Sequence, residues 1–304
     1  MPSKWLSYFR TVKSRTHFDA AFVKDARVVA GLYAHFKWGK GRQTFSADTP
    51  RPTLAFYPNP VGPWYNIWLI LRNTKLKKIK DVEQADYVFL FDDKTQSDAA
   101  ATLPDTVKAI RINDKVTDIS KKHVGTTFKS VFGYDIGVDP TTYEGKVVEK
   151  SDENGTHDGR IITCPIDENE MKDGYCYQRF IDSSFSGETS EDLRIATVFG
   201  KIGAVFHKHK SFDNIFSTTY LETTVHAPEE RFSPDELTLI EKFCGAMGLD
   251  FGAIDVMRDK SDGRIYIVDV NKTCMPVMML SPQEQYRSLK MIAKVFEERL
   301  PAAS

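Results

Sequence analysis

The sequence predicts an α/β protein that begins with an open parallel sheet and continues into smaller lobes of mixed α and β structure. Three features lead to this prediction. Short apolar segments alternate with helical segments between residues 50 and 115, a pattern typical of a parallel sheet. Residues 251–271 have the pattern of two apolar strands joined by a turn. Helix starts with an N-cap serine, a proline and then a glutamate flank this hairpin, at Ser233 and Ser281.

The predicted elements follow one another without an internal repeat or a low-complexity tract. Apolar residues at helical spacing predict a long helix over residues 13–37. The first sheet is expected from strands at 53–57, 87–91 and 107–112, with a helix at 64–71, and a further helix is predicted over 118–132. The remaining strands are predicted at 146–150, 160–165, 175–181, 193–199, 202–207, 251–257 and 264–271.

Composition excludes several classes of protein. With 304 residues, 41% hydrophobic and 27% charged, the chain is an ordinary globular protein with a large core. A net charge of −1 argues against a dedicated nucleic-acid binder. Residues 1–50 nevertheless hold nine Lys and Arg against three Asp, which is compatible with a solvated helical face or with docking to a membrane or an acidic partner.

The expected cellular setting is the cytoplasm. No run of 18 apolar residues indicates a transmembrane helix, and the N-terminus lacks the pattern of a signal peptide. Four cysteines without a C-x-x-C pair are expected to be reduced and buried.

The predicted hairpin carries two carboxylates that ought to repel each other. Folding it about Asp262 puts Asp255 directly opposite Asp269, and Asn271 falls on the same face as Asp269. Like charges opposed across two strands destabilise the pair, and both strands are otherwise apolar. A Mg²⁺ ion bound by these three oxygen donors would compensate. A purely structural alternative stays open, in which one aspartate caps a strand and the other pairs with Arg258 or Arg264.

The hairpin resembles the metal-binding segment of ATP-grasp enzymes, such as D-alanine–D-alanine ligases and ribosomal-protein glutamate ligases. The resemblance lies in GAIDVM at residues 252–257 and DGRIYIVDVN at residues 262–271. It implies an ATP-grasp fold in which Asp255, Asp269 and Asn271 hold the magnesium ions that bridge the ATP phosphates. The sequence departs from the family at Asp269, where a glutamate is usual, and the shorter side chain changes the coordination available there.

The same resemblance assigns lysines to the ATP phosphates. Lys150 ends a predicted strand and precedes a loop with Gly155 and Gly159, a layout similar to the ATP-grasp central lobe, although by itself it also fits an exposed strand-end lysine. The loop is richer in acidic residues than expected for a phosphate cover. A second lysine that contacts ATP is expected upstream, and Lys115, Lys121 and Lys122 are the candidates. Lys122 is preferred, because its helix leads into Gly133 at about the distance expected in the family.

Two further segments resemble family motifs. YQRFI at residues 177–181 is similar to the hinge strand that contacts adenine, which implies that Gln178, Arg179 and Ile181 line the adenine pocket; the pattern also fits an ordinary central strand. DLR at residues 192–194 and HK at residues 207–208 resemble the strands whose basic residues face the phosphates. Arg194 is accordingly expected to hold the acyl phosphate, and Lys208 to contact ATP. Without the resemblance, both residues would be interpreted as cations on the protein surface.

The resemblance implies four regions: a helical basic extension (1–49), an open-sheet domain (50–115), a small central lobe (116–182) and a C-terminal lobe with the metal hairpin (183–304). The implied activity is ATP-dependent ligation of a carboxylate to an amine or thiol through an acyl phosphate, with Lys150 and Arg194 as catalytic residues. ATP and Mg²⁺, or Mn²⁺, are the implied cofactors, and a small molecule or peptide with a carboxylate is the implied substrate. Two alternatives stay open, a kinase acting on a hydroxyl and a nucleotide-binding regulatory protein. The oligomeric state is not determined by the sequence, and a dimer is compatible with it.

Overall fold

The computed structural model describes residues 20–39, 45–46, 49–186, 189–211, 215–216 and 220–303. A helix, α1 (Ala20–Trp38), precedes a four-stranded parallel sheet with the order β2-β1-β3-β4. The elements of this region are β1 (Thr53–Pro58), α2 (Asn66–Leu71), β2 (Lys77–Lys78), β3 (Tyr87–Phe91), α3 (Ala99–Thr102) and β4 (Ile110–Ile112). All five residues of β3 are buried because this strand lies between two others and is covered on both faces.

A three-stranded antiparallel sheet follows, with the order β6-β5-β7. It is preceded by α4 (Lys121–Phe132), which begins where the Ser120 side chain accepts a hydrogen bond from the His123 N–H and ends at Gly133 in the left-handed conformation. The strands are β5 (Gly145–Ser151), β6 (Arg160–Cys164) and β7 (Tyr175–Arg179).

The largest sheet has five antiparallel strands in the order β10-β9-β8-β11-β12. They are β8 (Thr189–Val198), β9 (Lys201–Ser211), β10 (Glu222–His226), β11 (Phe251–Arg258) and β12 (Ile265–Asn271). Two helices accompany them, α5 (Pro234–Met247) and α6 (Pro282–Arg299), and both begin with the predicted capping box, at Ser233 and Ser281.

Both faces of the five-stranded sheet are packed, because alternate residues of a strand point to opposite sides. Ala196, Ala204 and Phe206 join an apolar cluster with the first sheet and α6. Leu193, Ile195 and Val205 join a second cluster with α4 and α5. Arg194 and Asp255 alternate with the second set, so they lie on the face that is turned toward the first sheet.

The predicted α/β class, the parallel first sheet and the two capped helices are confirmed. The strand expected at 107–112 is shorter, and β2 and β10 were not predicted. Of the helix expected over 13–37, residues 13–19 lie outside the described residues, as does much of the proposed 1–49 extension. None of the helices within the described ranges is long and apolar enough to cross a membrane.

Candidate functional site

Three neighbouring strands place one charged residue each in a single row. Asp269 on β12 pairs with Asp255 on β11, and Asp255 pairs with Arg194 on β8. The predicted opposition of the two aspartates is therefore observed. Because paired residues share a face of the sheet, the three side chains project to the same side.

A β-bulge sets this register. The pairing passes from Asp255 opposite Asp269 to Val256 opposite Ile267, so Val268 has no cross-strand partner. The Lys150 ammonium, at the end of β5, donates to the Val268 carbonyl at 3.1 Å. The bulge thus aligns the two carboxylates and also anchors the lysine of the neighbouring lobe beside them.

Asp255 is surrounded by cations. One guanidinium nitrogen of Arg194 lies 3.0 and 3.1 Å from its two carboxylate oxygens, and the Lys208 ammonium lies 3.8 Å away. Burial alone would raise the pKa of Asp255, but the charges of Arg194, Lys208 and Lys210 hold it below its ordinary value. Asp255 is therefore ionised in the metal-free protein.

Asp269 has the opposite character. Burial, and then the charge of Asp255, raise its pKa, while Lys121 and Lys150 offset only part of the rise. Its Oδ1 atom is buried without a hydrogen-bond partner among the described residues. A buried carboxylate oxygen without a donor is costly, so this atom is suited to an electropositive ligand.

Asn271 supplies the third oxygen atom that could bind a metal ion. Its Oδ1 atom accepts the Thr273 N–H at 2.8 Å, which fixes the direction of the amide. The Thr273 hydroxyl in turn donates to Asp93, in the loop after β3, at 2.5 Å. The end of β12 is therefore tied to the carboxyl edge of the first sheet.

The upstream lysine that reaches this cluster is Lys121 and not the preferred Lys122. Lys121 is 8% exposed, and its charge acts on both Asp269 and Lys150. Lys122 is exposed, and the hydrogen bonds it makes come from its backbone: its N–H donates to Asp152, and its carbonyl accepts the Thr126 hydroxyl. Lys115 is also exposed and lies beside Asp250. One residue along a helix rotates the side chain by about 100°, which accounts for the difference.

The acidic loop after Lys150 turns its carboxylates to the protein itself. Asp152 accepts the Lys122 N–H at 2.8 Å, and Glu153 accepts the Thr95 hydroxyl at 2.7 Å. Asp158 accepts the Ser151 N–H at 3.1 Å and further bonds within the lobe. The loop acids therefore fold the loop and fasten it to α4 and to the loop after β3, so their carboxylates are directed at donors of the protein itself.

The three residues expected in the hinge strand have different surroundings in the structure. Gln178 and Ile181 are buried, and Ile181 packs in the cluster beneath the large sheet. The Arg179 guanidinium donates to the Tyr266 hydroxyl at 2.8 Å and to Asp259 at 3.2 Å. The side chain of Arg179 thus joins the hinge strand to the β11–β12 hairpin, and its backbone N–H donates to the Ile136 carbonyl at 2.9 Å.

A second row on the same face joins Lys208, which the sequence predicts to contact ATP, with residues for which the sequence predicted no role. Asp192 on β8 pairs with Lys208 on β9, and Lys208 pairs with Thr223 on β10. Lys210 lies 3.6 Å from Asp192, and the Tyr220 ring lies under both lysines at 4.7 and 5.0 Å. Lys210 could have been found from its spacing, because residues two apart in a strand share a face.

The arginines named in the structural alternative for the hairpin have other partners, and Asp255 pairs instead with Arg194. Arg258 pairs with Glu236 at 2.6 Å, and Arg264 lies over the Tyr134 ring at 4.9 Å. Neither arginine neutralises Asp255 or Asp269. A surface cavity of about 460 Å³ lies elsewhere, lined by Lys94, Gln96, Ser97, Asp98, Thr117 and Asp118, and contains none of these residues.

The donor set fits a hard divalent cation. Two carboxylates and an amide oxygen are the ligands that Mg²⁺ prefers, and the unpartnered oxygen of Asp269 needs a positive partner. The lowered pKa of Asp255 keeps that carboxylate ionised, as a metal ligand must be.

Solved structures resemble this chain, whereas no family model and no curated sequence matches it. The ATP-grasp ligase PsnB, complexed with a phosphomimetic variant of its minimal precursor, Mg and ADP, is 11% identical with a TM-score of 0.51, over 84% of this chain and 100% of that one. A RiPP-associated ATP-grasp ligase from Chryseobacterium gregarium, in complex with ADP and a leader and core peptide, is 12% identical with a TM-score of 0.50, over 84% and 99%. The D-alanine–D-alanine ligase from Bacillus anthracis complexed with ATP is 13% identical with a TM-score of 0.50, over 82% and 98%. These likenesses show that the chain has the ATP-grasp fold.

Proposed function

We propose that this protein is an ATP-dependent ligase that joins a carboxylate to an amine through an acyl phosphate. The observation that carries the proposal is the row Asp269–Asp255–Arg194, in which an unpartnered carboxylate oxygen lies beside an ionised carboxylate and a guanidinium. An oxygen-rich metal site next to fixed cations is what the transfer of a γ-phosphoryl group requires.

The charges support an anionic ligand. Lys121, Lys150, Arg194, Lys208 and Lys210 converge on Asp192, Asp255 and Asp269, so five cations face three carboxylates. Burial and the charge of Asp255 raise the pKa of Asp269, an effect that a cation bound at this carboxylate would offset. A polyphosphate would offset the surplus, and bound Mg²⁺ would supply further charge stabilisation of its oxygens.

Each residue has a role in this proposal. Asp255, Asp269 and Asn271 would hold Mg²⁺, and Lys150 and Lys121 would contact the phosphates, with Lys121 in the place first given to Lys122. The hinge strand with Gln178, the Arg179 backbone and Ile181 would hold adenine. Arg194 would hold the acyl phosphate and Lys208 the transferred phosphoryl group, so most of the catalytic effect comes from positioning and electrostatic stabilisation.

The substrate class we propose is a peptide or small molecule with a carboxylate. One of the similar structures contains a leader and core peptide with ADP, another contains a variant of a minimal precursor with ADP, and a third is a D-alanine–D-alanine ligase with ATP. Magnesium accompanies ADP in one of them. These neighbours share little sequence with the chain, so they support the proposal through the fold.

Trapping the acyl phosphate tests the proposed function. The protein is incubated with Mg-ATP, an extract of peptides and small metabolites, and hydroxylamine, which converts an acyl phosphate into a hydroxamate. We expect ADP, phosphate and a hydroxamate in equal amounts, each lost in the Lys150→Met variant. ADP with a phosphoester and no hydroxamate would identify a kinase, and unchanged ATP would leave only nucleotide binding; either result contradicts the ligase proposal.

A further inference from the structure

The hydroxyl group of Thr273 lies within reach of two acceptors that belong to different sheets. Its oxygen is 2.5 Å from Oδ1 of Asp93, after β3 of the first sheet, and 3.4 Å from Oδ1 of Asn271, at the end of β12. A hydroxyl group has one proton to donate. The shorter of the two bonds ends at a carboxylate, which is the stronger acceptor, so Asp93 receives the proton.

This choice leaves room on the oxygen of Asn271. An amide oxygen can accept two hydrogen bonds. The backbone N–H of Thr273 takes one of these positions at 2.8 Å, in a turn closed by the asparagine side chain over residues 271–273. The Thr273 hydroxyl would compete for the second position if Asp93 did not engage it. The second position is therefore available to a cation.

The first sheet fixes the location of Asp93. It lies two residues after the end of β3, a strand whose five residues are all buried. The intervening Asp92 is 6% exposed and accepts the Ser97 hydroxyl at 2.8 Å, which holds the loop from the other side. Thr273 is itself only 6% exposed. The bond from Thr273 to Asp93 thus joins an anchored loop of the first sheet to the end of β12.

We propose that Asp93 is a positioning residue for the metal site: it holds the Thr273 hydroxyl away from Asn271 and so keeps the Asn271 oxygen free to bind Mg²⁺. This inference rests on the proposed function and adds a residue of the first sheet to its metal site. Removal of such hydrogen-bond partners around metal ligands typically weakens metal binding by about 10- to 100-fold. The affinity for Mg²⁺ therefore depends on the contact between the first sheet and the end of β12.

The hydrogen bond and the negative charge of Asp93 predict different outcomes for two substitutions. Asp93→Ala removes the acceptor and releases the Thr273 hydroxyl, so we expect Mg²⁺ binding to weaken by about 10- to 100-fold. Asp93→Asn removes the charge but keeps an acceptor oxygen at the same place, so its affinity for Mg²⁺ should stay close to the parental value. Asp93→Leu, which also lacks an acceptor, replaces Asp93→Ala if that variant does not fold.

A double-mutant cycle shows whether Asp93 acts through the hydroxyl. Thr273→Val removes the hydroxyl and keeps the backbone N–H. If the hydroxyl is the competitor, adding Asp93→Ala to Thr273→Val should cause no further loss of Mg²⁺ affinity. A residue that only supported the fold would give the same loss in both backgrounds.

Equilibrium dialysis with labelled ATP provides the measurement, as the free Mg²⁺ concentration that gives half-maximal ATP binding. Melting curves in EDTA report the stability of each variant separately. Asp98→Ala is the matched control, because it removes a carboxylate from the same loop. Its side chain is 71% exposed and pairs with Lys94 at the surface, so this variant should need the parental Mg²⁺ concentration.

Parental Mg²⁺ dependence in Asp93→Ala overturns the inference. An equal loss in Asp93→Asn overturns it as well, because the charge would then be the cause, and so does a further loss when Asp93→Ala is added to Thr273→Val. ATP binding by the parent protein that is independent of Mg²⁺ contradicts the metal site and the inference together. If the parent binds Mg-ATP but forms no hydroxamate, the ligase proposal fails while these variants still decide the role of Asp93.

Discussion

Asp255 and Asp269 lie opposite each other across one hairpin, yet their pKa values shift in opposite directions. The difference comes from their neighbours on the other side. Asp255 is flanked by Arg194 on the adjacent strand, whereas Asp269 lies on the outermost strand with lysines that compensate only in part. Pairs of acids with divergent pKa values are typical of functional sites, where a ligand restores the balance.

This asymmetry predicts opposite effects of two similar substitutions. Asp269→Asn should leave the metal-free protein as stable as the parent or more so. The substitution removes the repulsion between Asp269 and Asp255, and it breaks no hydrogen bond to Oδ1 within the described residues. Asp255→Asn should destabilise it by about 1–3 kcal/mol, since Arg194 and Lys208 lose a charged acceptor. Urea unfolding without metal measures both. Equal destabilisation by the two variants would contradict the electrostatic account.

Substitutions of the neighbouring lysines should separate nucleotide contacts from surface positions. Lys150→Met and Lys121→Met should each weaken ATP binding by about 10- to 100-fold, the range for losing a charged hydrogen bond of about 1.5–3 kcal/mol. Lys122→Met is the matched control, because that side chain is exposed, and its binding constant should stay within about twofold of the parent. Calorimetric titration with Mg-ATP gives all three constants. If only Lys122→Met lost affinity for ATP, Lys122 and not Lys121 would be the lysine that contacts the phosphates.

Glu149 provides a prediction about acid stability. It is 1% exposed and accepts Arg160 at 2.5 Å and Lys172 at 2.7 Å. Burial acts to raise its pKa, but the hydrogen bonds from Arg160 and Lys172 hold it below the ordinary value of 4.5. A lowered pKa stabilises the fold above the unfolded-state value, and this stabilisation is lost as the pH falls through the folded-state value.

Glu149→Gln should therefore lower the melting temperature at pH 7, and the gap to the parent should close as the pH falls below about 4.5. Melting curves from pH 7 to pH 3 provide the measurement. Glu153→Gln is the control, because its partner Thr95 is uncharged. A gap that stays constant with pH would show that Glu149 contributes through packing and not through its charge.

Gly159 meets a residue of the C-terminal lobe at close range. A Cβ atom at this position would lie 2.7 Å from the ring of Phe216, closer than side chains tolerate. Gly159→Ala should displace the loop that follows Lys150 and weaken Mg-ATP binding several-fold. Adding Phe216→Ala should restore the affinity, because the colliding ring is gone. If the double variant binds no better than Gly159→Ala, this contact does not set the position of the loop.

The hairpin could be predicted from sequence because its turn residues and its apolar alternation agree with each other. Their equal distance from Asp262 predicts that Asp255 and Asp269 lie opposite each other, and in the structure the bulge at Val268 sets this pairing. No residue type in the sequence indicates the bulge at Val268. The hydrogen bond from Lys150 to the Val268 carbonyl could therefore not be predicted. The choice between Lys121 and Lys122 depends on helical phase, and this phase is set by where the Ser120 cap begins the helix.

Other parts of the site depend on contacts between distant segments. The number of acids in the loop, Asp152, Glu153 and Asp158, can be read from the sequence, but the donors that they accept from cannot. The side chain of Arg179 is engaged by Asp259, eighty residues away, which no local pattern indicates. Local periodicity therefore predicts which residues share a face, whereas the partner of each charge requires the tertiary structure.

Binding of Mg-ATP by the row of Asp269, Asp255 and Arg194 can be measured in one melting experiment. The parent protein is heated alone, with ATP and EDTA, with Mg²⁺, and with both ligands. At 100 times its Kd a ligand adds about 2.7 kcal/mol, and each kcal/mol raises the melting temperature by about 2 °C in a large domain. We predict a rise of about 5 °C that requires Mg²⁺ and ATP together and is absent in Asp269→Asn. An unchanged melting temperature in millimolar Mg-ATP, with the fold intact, would contradict the account.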